Sequence, residues 1–330
     1  MTWTEPNPDR VADFLISHGY SSTAEPLRIE GSTRRYYRVR STDGSRSAVL
    51  CVSSPFVEEN DDFLSITDQL HRAGIRVPQI LGIRPEEGLL LQSDGGTHDV
   101  EQWFPTASRD EQKSAYRSFV SDILKMQSIP LEPPVAARFF DFEKLNWEME
   151  FLFERVQEFM RLHRVDIFLS FEFRMFLQEV CAALGAQEPA VFVHRDLHSR
   201  NILSGSDGFT IIDYQDARTG NRYYDLVSLL FDPYLDPGKE IRDDCIQYYF
   251  EQTGLEKGRG ILYLQALQRI LKALGSYLYL GLEQKKESYL QCIEPAIARL
   301  EVIMHLGRFP DSVFLFLLDC RRKLLPALDL

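Results

Sequence analysis

The stretch His194-Arg195-Asp196-Leu197-His198-Ser199-Arg200-Asn201 sets a carboxylate and a carboxamide five residues apart in the pattern H-R-D-L-x-x-x-N. That pattern suits phosphoryl transfer. The carboxylate of Asp196 can orient a hydroxyl and accept its proton, and the carboxamide of Asn201 can hold a magnesium ion. Ala190-Val191-Phe192-Val193, apolar and β-prone, leads into the segment. Asn201-Ile202-Leu203-Ser204 leaves it toward a Gly205-Ser206-Asp207-Gly208 turn, and Phe209-Thr210-Ile211-Ile212 then delivers a second carboxylate, Asp213. The spacing predicts a hairpin with one acidic residue at the mouth of each arm, the geometry that clamps a triphosphate and its metal. An isolated H-x-D is common and means little; here five positions agree and a second Asp follows the hairpin.

The elements that must position these residues fall into two halves. Asn7-Pro8-Asp9-Arg10 reads as an N-cap with Pro at the first helical position, and Gly19 stops that helix. Short β-prone runs follow at about 26–30, 36–41, 48–53, 79–84 and 89–92, separated by turns such as Asp43-Gly44 and Glu87-Gly88. One helix, at about 61–73, interrupts them and ends at Gly74. The composition shifts at Ser93-Asp94-Gly95-Gly96-Thr97, a candidate hinge. Beyond it, helices are expected at about 109–128, 141–163, 170–185, 225–234, 240–253, 258–281, 285–305 and 311–324. The expected fold is α+β and bilobal, like the protein kinases. Residues 1–93 form a small antiparallel β lobe for the nucleotide, and residues 94–330 a larger, mostly helical lobe with the catalytic hairpin and the substrate site. Phenylalanines crowd residues 139–176, where helical spacing favours packing over an aromatic substrate site.

Composition narrows the possibilities. A chain of 330 residues that is 44% hydrophobic can bury a sizeable core. A net charge of −12 argues against nucleic-acid or anionic-membrane partners, without excluding ATP. Five scattered cysteines with no C-x-x-C read as free thiols in a reducing compartment. The N-terminus shows no basic segment followed by an apolar one, and the apolar run at Val313–Leu318 is too short to span a bilayer. The expectation is a soluble, cytoplasmic monomer whose partners are ATP and a small hydroxylated substrate.

The catalytic loop, with Ile212-Asp213-Tyr214-Gln215-Asp216-Ala217 and Tyr224-Asp225-Leu226-Val227-Ser228-Leu229-Leu230, resembles the aminoglycoside phosphotransferase and choline kinase superfamily. Within it the chain looks most like the bacterial N-acetylmuramate/N-acetylglucosamine anomeric kinases, which share an N-terminal segment that here reads Gly31-Ser32-Thr33-Arg34-Arg35-Tyr36-Tyr37-Arg38-Val39. The likeness runs at least through residues 8–235. It implies Asp196 as catalytic base, Asn201 and Asp213 as magnesium ligands, and Asp225 with His194 as supports of the catalytic loop. Gly31, Ser32, Thr33, Arg34 and Arg35 resemble the turn that covers the phosphates, and Gln92, Ser93 and Asp94 the hinge that meets adenine. His198, Arg200, Glu150 and Asp216 are the candidates for the substrate side. A plain hairpin turn at Gly31-Ser32 and an ordinary N-cap at Asp225 are compatible with the same residues. His198, with no His or Cys partner at ligand spacing, is not read as a metal ligand.

One departure stands out. Related kinases carry a Lys on the third strand for the nucleotide phosphates. The corresponding strand, Ser47-Ala48-Val49-Leu50-Cys51-Val52, has none, and no lysine precedes Lys113. Arg34, Arg35 and Arg38 are the nearby cations, and the expectation is that an arginine reaches over the phosphates; solvated strand arginines are the plainer alternative. The run from Asp213 to Asp225 is too short for a peptide-docking segment and no A-P-E follows, which favours a small acceptor. The resemblance points to an amino sugar, in cell-wall recycling. A cationic acceptor such as an aminoglycoside or choline is the second choice; Glu150 and Glu154, on one helix face after Trp147, could bind it or be merely solvated. A nucleotide-binding pseudokinase is the third, motivated by the missing lysine and opposed by the intact Asp196, Asn201 and Asp213.

Overall fold

The structure, a computed structural model, describes residues 7–27, 34–58 and 61–328. In chain order its elements begin α1 (Pro8–Ser17), β1 (Tyr20–Pro26), β2 (Arg35–Ser41), β3 (Ser47–Val52), α2 (Asp62–Arg72), β4 (Ile80–Arg84), β5 (Leu89–Ser93), β6 (His98–Asp99), α3 (Val100–Trp103) and α4 (Arg109–Met126). They continue with α5 (Phe142–His163), α6 (Phe171–Gly185), β7 (Val191–Val193), β8 (Ile202–Gly205), β9 (Gly208–Ile211) and β10 (Arg218–Gly220). The last are α7 (Tyr224–Leu230), α8 (Lys239–Thr253), α9 (Arg259–Leu278), α10 (Ile293–Leu306), α11 (Asp311–Asp319) and α12 (Leu325–Ala327). The fold is α+β, and the chain divides into two compact units: Met1–Asp99 with Ile202–Gln215, and Val100–Asn201 with Asp216–Leu330.

The β unit is built on a five-stranded antiparallel sheet in the order β1-β2-β3-β5-β4. β3 is central, and Ala48 to Val52 are all buried, which is why this strand is a continuous apolar run. Phe14 and Leu15 of α1 pack on Val39, Leu50 and Leu91. The side chain of Asn7 accepts from the Asp9 N–H at 2.9 Å and starts α1, as its sequence suggests. The first strand differs from expectation: it covers Tyr20–Pro26 rather than 26–30, of which 28–30 lie outside the described residues. Its polar Ser21, Ser22 and Thr23 conceal it, because an edge strand needs no apolar alternation.

The hairpin β8–β9 pairs Ile202 with Ile211 and Gly205 with Gly208, as the turn residues predict. It clusters with the β unit, whereas the sequence was expected to place it in the helical half. The reason is local pairing. β6 runs antiparallel to β8, with His98 opposite Ser204. The Ile211 N–H donates to the Arg76 carbonyl at 2.9 Å. Gly96, at φ 138°, passes so close to this hairpin that a Cβ would collide with the Ser204 carbonyl.

In the helical unit, α9 is the central helix: Leu262, Leu267, Leu271, Leu274 and Leu278 are all buried, and it packs against α5, α6, α7 and α10. β7 and β10 pair antiparallel, Phe192 opposite Thr219. α7 ends at Leu230, short of the expected 234, because Asp232 leaves the helix to accept the N–H of Tyr234 at 2.8 Å. The expected helix over 285–305 starts at Ile293, after a 3-10 turn at Glu287–Cys292. Phe140, Phe153, Phe159 and Phe173 are core residues, in keeping with the packing reading. All five cysteines are buried, and none is in a disulfide. Among the described residues no helix is long and apolar enough to cross a membrane.

Candidate active site

The loop His194–Asn201 belongs to the helical unit, and two buried carboxylates hold its backbone. Asp225 accepts the N–H groups of His194 at 2.7 Å and Arg195 at 3.0 Å. Asp232 accepts the N–H of Ser199 at 2.8 Å. Asp225 lies in α7 and Asp232 just past its end, and between them they grip both ends of the loop. Burial pushes each carboxyl up to about 6, against the pull of these N–H donors. Asp225 lies inside the first turn of α7 and is not its N-cap. Arg195 adopts φ 85°, a conformation that costs a non-glycine residue roughly 1–3 kcal/mol and persists where surrounding bonds fix it. His194 is buried, and its Nδ1 accepts the Asp196 N–H at 3.3 Å. The Asn201 amide nitrogen donates to the Asp196 carbonyl at 2.8 Å, which fixes the carboxamide.

The Asp196 carboxylate sits among three cations: Arg269 at 3.2 Å, Lys272 at 3.5 Å and Arg195 at 3.7 Å. Burial favours its neutral form, but Lys272, Arg269 and Arg195 together outweigh it and hold the carboxyl well below the usual range. Asp196 is therefore ionised and weakly basic. Such a group orients a hydroxyl as a hydrogen-bond acceptor, and a loose phosphoryl transfer asks little more of it.

Asp196 opens into a cavity of about 250 Å³ formed within the helical unit. His198 and Asp232 line it beside Asp196; Arg269, Lys272 and Tyr277 come from α9; Tyr234 and Tyr289 add aromatic surface. Burial lowers His198 to about 3, so its ring is neutral, and its Nδ1 is buried without a hydrogen-bond partner. Arg269, Lys272 and Asp232 are not singled out by the sequence, and Tyr277, in Tyr277-Leu278-Tyr279-Leu280, reads there as either core or a contact surface. Asp232, past the end of α7, gave no periodic signal, and Arg269 and Lys272, on α9 with Gln265 and Gln268, give that helix polar positions without saying what they meet.

Three candidates for the substrate side lie outside the cavity lining. Glu150 is paired with Arg174, and Glu154 contacts Arg155 at 3.3 Å, so each already has a cation of the chain beside it. Arg200 pairs with Glu101 at 2.5 Å and its guanidinium lies 3.9 Å from the ring centre of Tyr234, where it braces a cavity wall from behind. Asp216 is 3.0 Å from Arg195 and orients that cation. His198 alone of the four faces the cavity.

In the β unit, Asp213 follows β9 in a left-handed conformation, φ 66°, and its carboxylate accepts from Gln215 at 2.7 Å. Tyr214 anchors it: the ring stacks on Phe63 and the hydroxyl meets Thr67 at 2.8 Å, both on α2. The third strand is the expected one, Ser47–Val52, and it carries no lysine. Arg34 is near Cys51 and 3.9 Å from Asp61, the N-cap of α2. Arg35 is exposed at the start of β2. Gly31, Ser32 and Thr33 lie outside the described residues. At the hinge, Asp94 is engaged by Arg38 through two bonds, 2.7 and 3.1 Å, and Ser93 accepts the Gln79 N–H at 2.8 Å. Gln92 is buried, with Val49 and Ile80 as its strand neighbours. These side chains hold the segment at residues 92–94 in place.

The model of the phosphotransferase enzyme family matches residues 23–261, well over half of the chain. The chain belongs to the phosphotransferase enzyme family. It is similar to the N-acetylmuramate/N-acetylglucosamine kinase of Pseudomonas aeruginosa, 25% identical over 326 residues that cover 92% of this chain and 93% of the relative. A kinase of the same name from Neisseria meningitidis is 26% identical over 276 residues, 78% of each chain. Among solved structures, an AMP-bound spectinomycin phosphotransferase superposes with a TM-score of 0.59 at 17% identity, covering 90% of this chain and 99% of the other. A choline/ethanolamine kinase family protein from Mesorhizobium loti gives 0.56 at 16%, covering 96% and 98%. The phosphotransferase thus has the kinase-like fold expected from its sequence and is an ATP-dependent small-molecule kinase.

Proposed function

We propose that this phosphotransferase transfers the γ-phosphoryl group of ATP to the anomeric hydroxyl of an amino sugar, N-acetylmuramate or N-acetylglucosamine. The observation that carries the reading is the cavity at Asp196, which is tyrosine-lined and sets Arg269 and Lys272 against the carboxylates of Asp196 and Asp232. Asp196 is already paired with Arg269 and Lys272, and Asp232 with backbone N–H groups, so the lining offers a cationic acceptor no uncommitted carboxylate, and choline and aminoglycosides fit poorly. Tyrosine rings and hydroxyls suit the faces and edges of a sugar, and a volume of about 250 Å³ is at the small end of ligand pockets. The printed names of relatives aligned over most of the chain agree.

In this reaction the acceptor hydroxyl hydrogen-bonds to the Asp196 carboxylate, which directs its oxygen at the γ-phosphorus. The O–P bond forms, the bond to ADP breaks, and the proton passes to Asp196. An anomeric hydroxyl is more acidic than an ordinary alcohol because the ring oxygen withdraws electrons, so a carboxylate of low basicity suffices. The metal of this chemistry is magnesium, which takes oxygen ligands and spreads the charge of the transferring group. The carboxamide of Asn201 and the carboxylate of Asp213 are donors of that kind, each fixed by a hydrogen bond. Among the described residues no group of three or more His, Cys, Asp or Glu could cage a metal, so most of its shell would come from phosphates and water. Arg34, beside Cys51 of the lysine-free third strand, takes over the phosphate contact.

The test is ATP turnover with magnesium over N-acetylmuramate, N-acetylglucosamine, other hexoses, choline and aminoglycosides, with phosphorus NMR to locate the product phosphate. An anomeric phosphate on either amino sugar is expected. Turnover on a cationic acceptor alone rejects the reading, and ATP binding without turnover on any acceptor supports a pseudokinase.

A further inference from the structure

Lys272 is the cation around Asp196 that the protein leaves least satisfied. Arg195 is also held by Asp216 at 3.0 Å. Arg269, almost wholly buried, donates its Nε to Ser228 at 3.0 Å and a second nitrogen to Asp196 at 3.2 Å. Lys272 makes one ion pair among the described residues, to the same Asp196 oxygen at 3.5 Å, and none of them accepts a hydrogen bond from it. Its side chain is only 16% exposed, yet it lines the cavity. Glu148, the other carboxylate whose field reaches it, accepts instead from Gln268 at 2.9 Å. An ammonium has three N–H donors, and leaving them largely unused in a mostly buried position is costly unless a ligand takes them.

We infer that Lys272 is a specificity-determining residue: it binds a carboxylate carried by the acceptor and so selects an acidic sugar over its neutral counterpart. Its distance from the oxygen that receives the hydroxyl places that carboxylate within a sugar ring's breadth of the reacting position. Arg269 stays with Asp196 and Ser228 and keeps the carboxylate oriented when Lys272 turns to the acceptor. The inference rests on the amino-sugar reading for the identity of the acid, N-acetylmuramate, whose acidic side arm N-acetylglucosamine lacks. It differs from a role at the transferring phosphoryl group, which would serve every acceptor alike.

The experiment compares Lys272→Gln with the wild-type enzyme on N-acetylmuramate, its methyl ester and N-acetylglucosamine. The ratio of kcat/KM for N-acetylmuramate to that for N-acetylglucosamine cancels any common loss from disturbing Asp196. That ratio is expected to fall roughly 10- to 100-fold, the effect of losing a charged hydrogen bond, mainly through KM. Lys272→Arg restores most of it, and the methyl ester behaves as a neutral sugar already in the wild type. An equal loss on all three acceptors leaves the ratio unchanged and overturns the inference. Calorimetric binding of acid and neutral pairs (N-acetylmuramate and its ester, glucuronate and glucose, galacturonate and galactose) reads the same preference without turnover. A preference for acids that Lys272→Gln abolishes upholds the inference even if neither amino sugar is phosphorylated, in which case only the proposed reaction fails. No preference for any acid in the wild type overturns it.

Discussion

The two units hold their chemistry by different means. In the helical unit the catalytic loop hangs from buried carboxylates, Asp225 and Asp232, that accept backbone N–H groups, and its working carboxylate is surrounded by cations from α9. In the β unit Arg38 fixes the hinge through Asp94, and Arg34, proposed for the phosphate contact, stands beside Cys51 of a strand with no lysine. Backbone held by buried charge tolerates little change, because each loss strands a donor or a carboxylate away from water. A phosphate grip made by a partly exposed side chain near a turn is replaceable, and its loss costs affinity rather than structure. The missing lysine is therefore compatible with an active kinase.

That contrast can be broken at graded cost. Asp196→Asn removes the acceptor of the hydroxyl proton, and kcat should fall by about 10³-fold with circular dichroism unchanged; retention of a tenth of the activity would mean that the cavity is not where transfer occurs. Next come the carboxylates beneath the loop. Asp225 and Asp232 stand at about 6 in the folded protein against an ordinary 3.8, so the native state keeps their protons longer. Their contribution to stability is full below about pH 4 and is lost as pH rises toward about 6. Asp196, shifted the other way, contributes stability above its ordinary 3.8 that is lost as pH falls below it. Urea unfolding of Asp232→Asn at about pH 4.5 and about pH 6.5 should show a drop with pH smaller than that of the wild type by about 2 kcal/mol. An identical drop in both proteins would show that Asp232 does not titrate there.

Smaller effects belong to the other unit and to the periphery. Arg34→Ala is expected to raise KM for ATP about 10-fold, the order of one charge-assisted contact, and Arg35→Ala to change it less than about two-fold. The reverse ranking would move the phosphate grip to Arg35, and no change in either would return it to the backbone. Glu150→Gln should leave acceptor KM within about two-fold and stability within about 1 kcal/mol, since it breaks only a partly exposed pair with Arg174. A large rise in acceptor KM for that variant would restore Glu150 to the substrate side.

The sequence by itself determined what is local in the chain. The loop, the hairpin, its two flanking carboxylates and the lysine-free third strand are each contiguous or a few residues apart, and turn chemistry and motif spacing express them directly. The apolar β3 and the core of α9 were legible because their burial is written in residue type. Tertiary structure alone decided which charges meet. Glu150 looked like a substrate ligand until Arg174, from the next helix, was seen to neutralise it. Arg269 and Lys272 lie more than seventy residues beyond Asp196 in sequence and within 3.5 Å of it in space. Helical periodicity says that Arg269 and Lys272 share a face, but not what that face meets. Electrostatics follows distance through space, and distance through space is what packing α9 under the catalytic loop supplies.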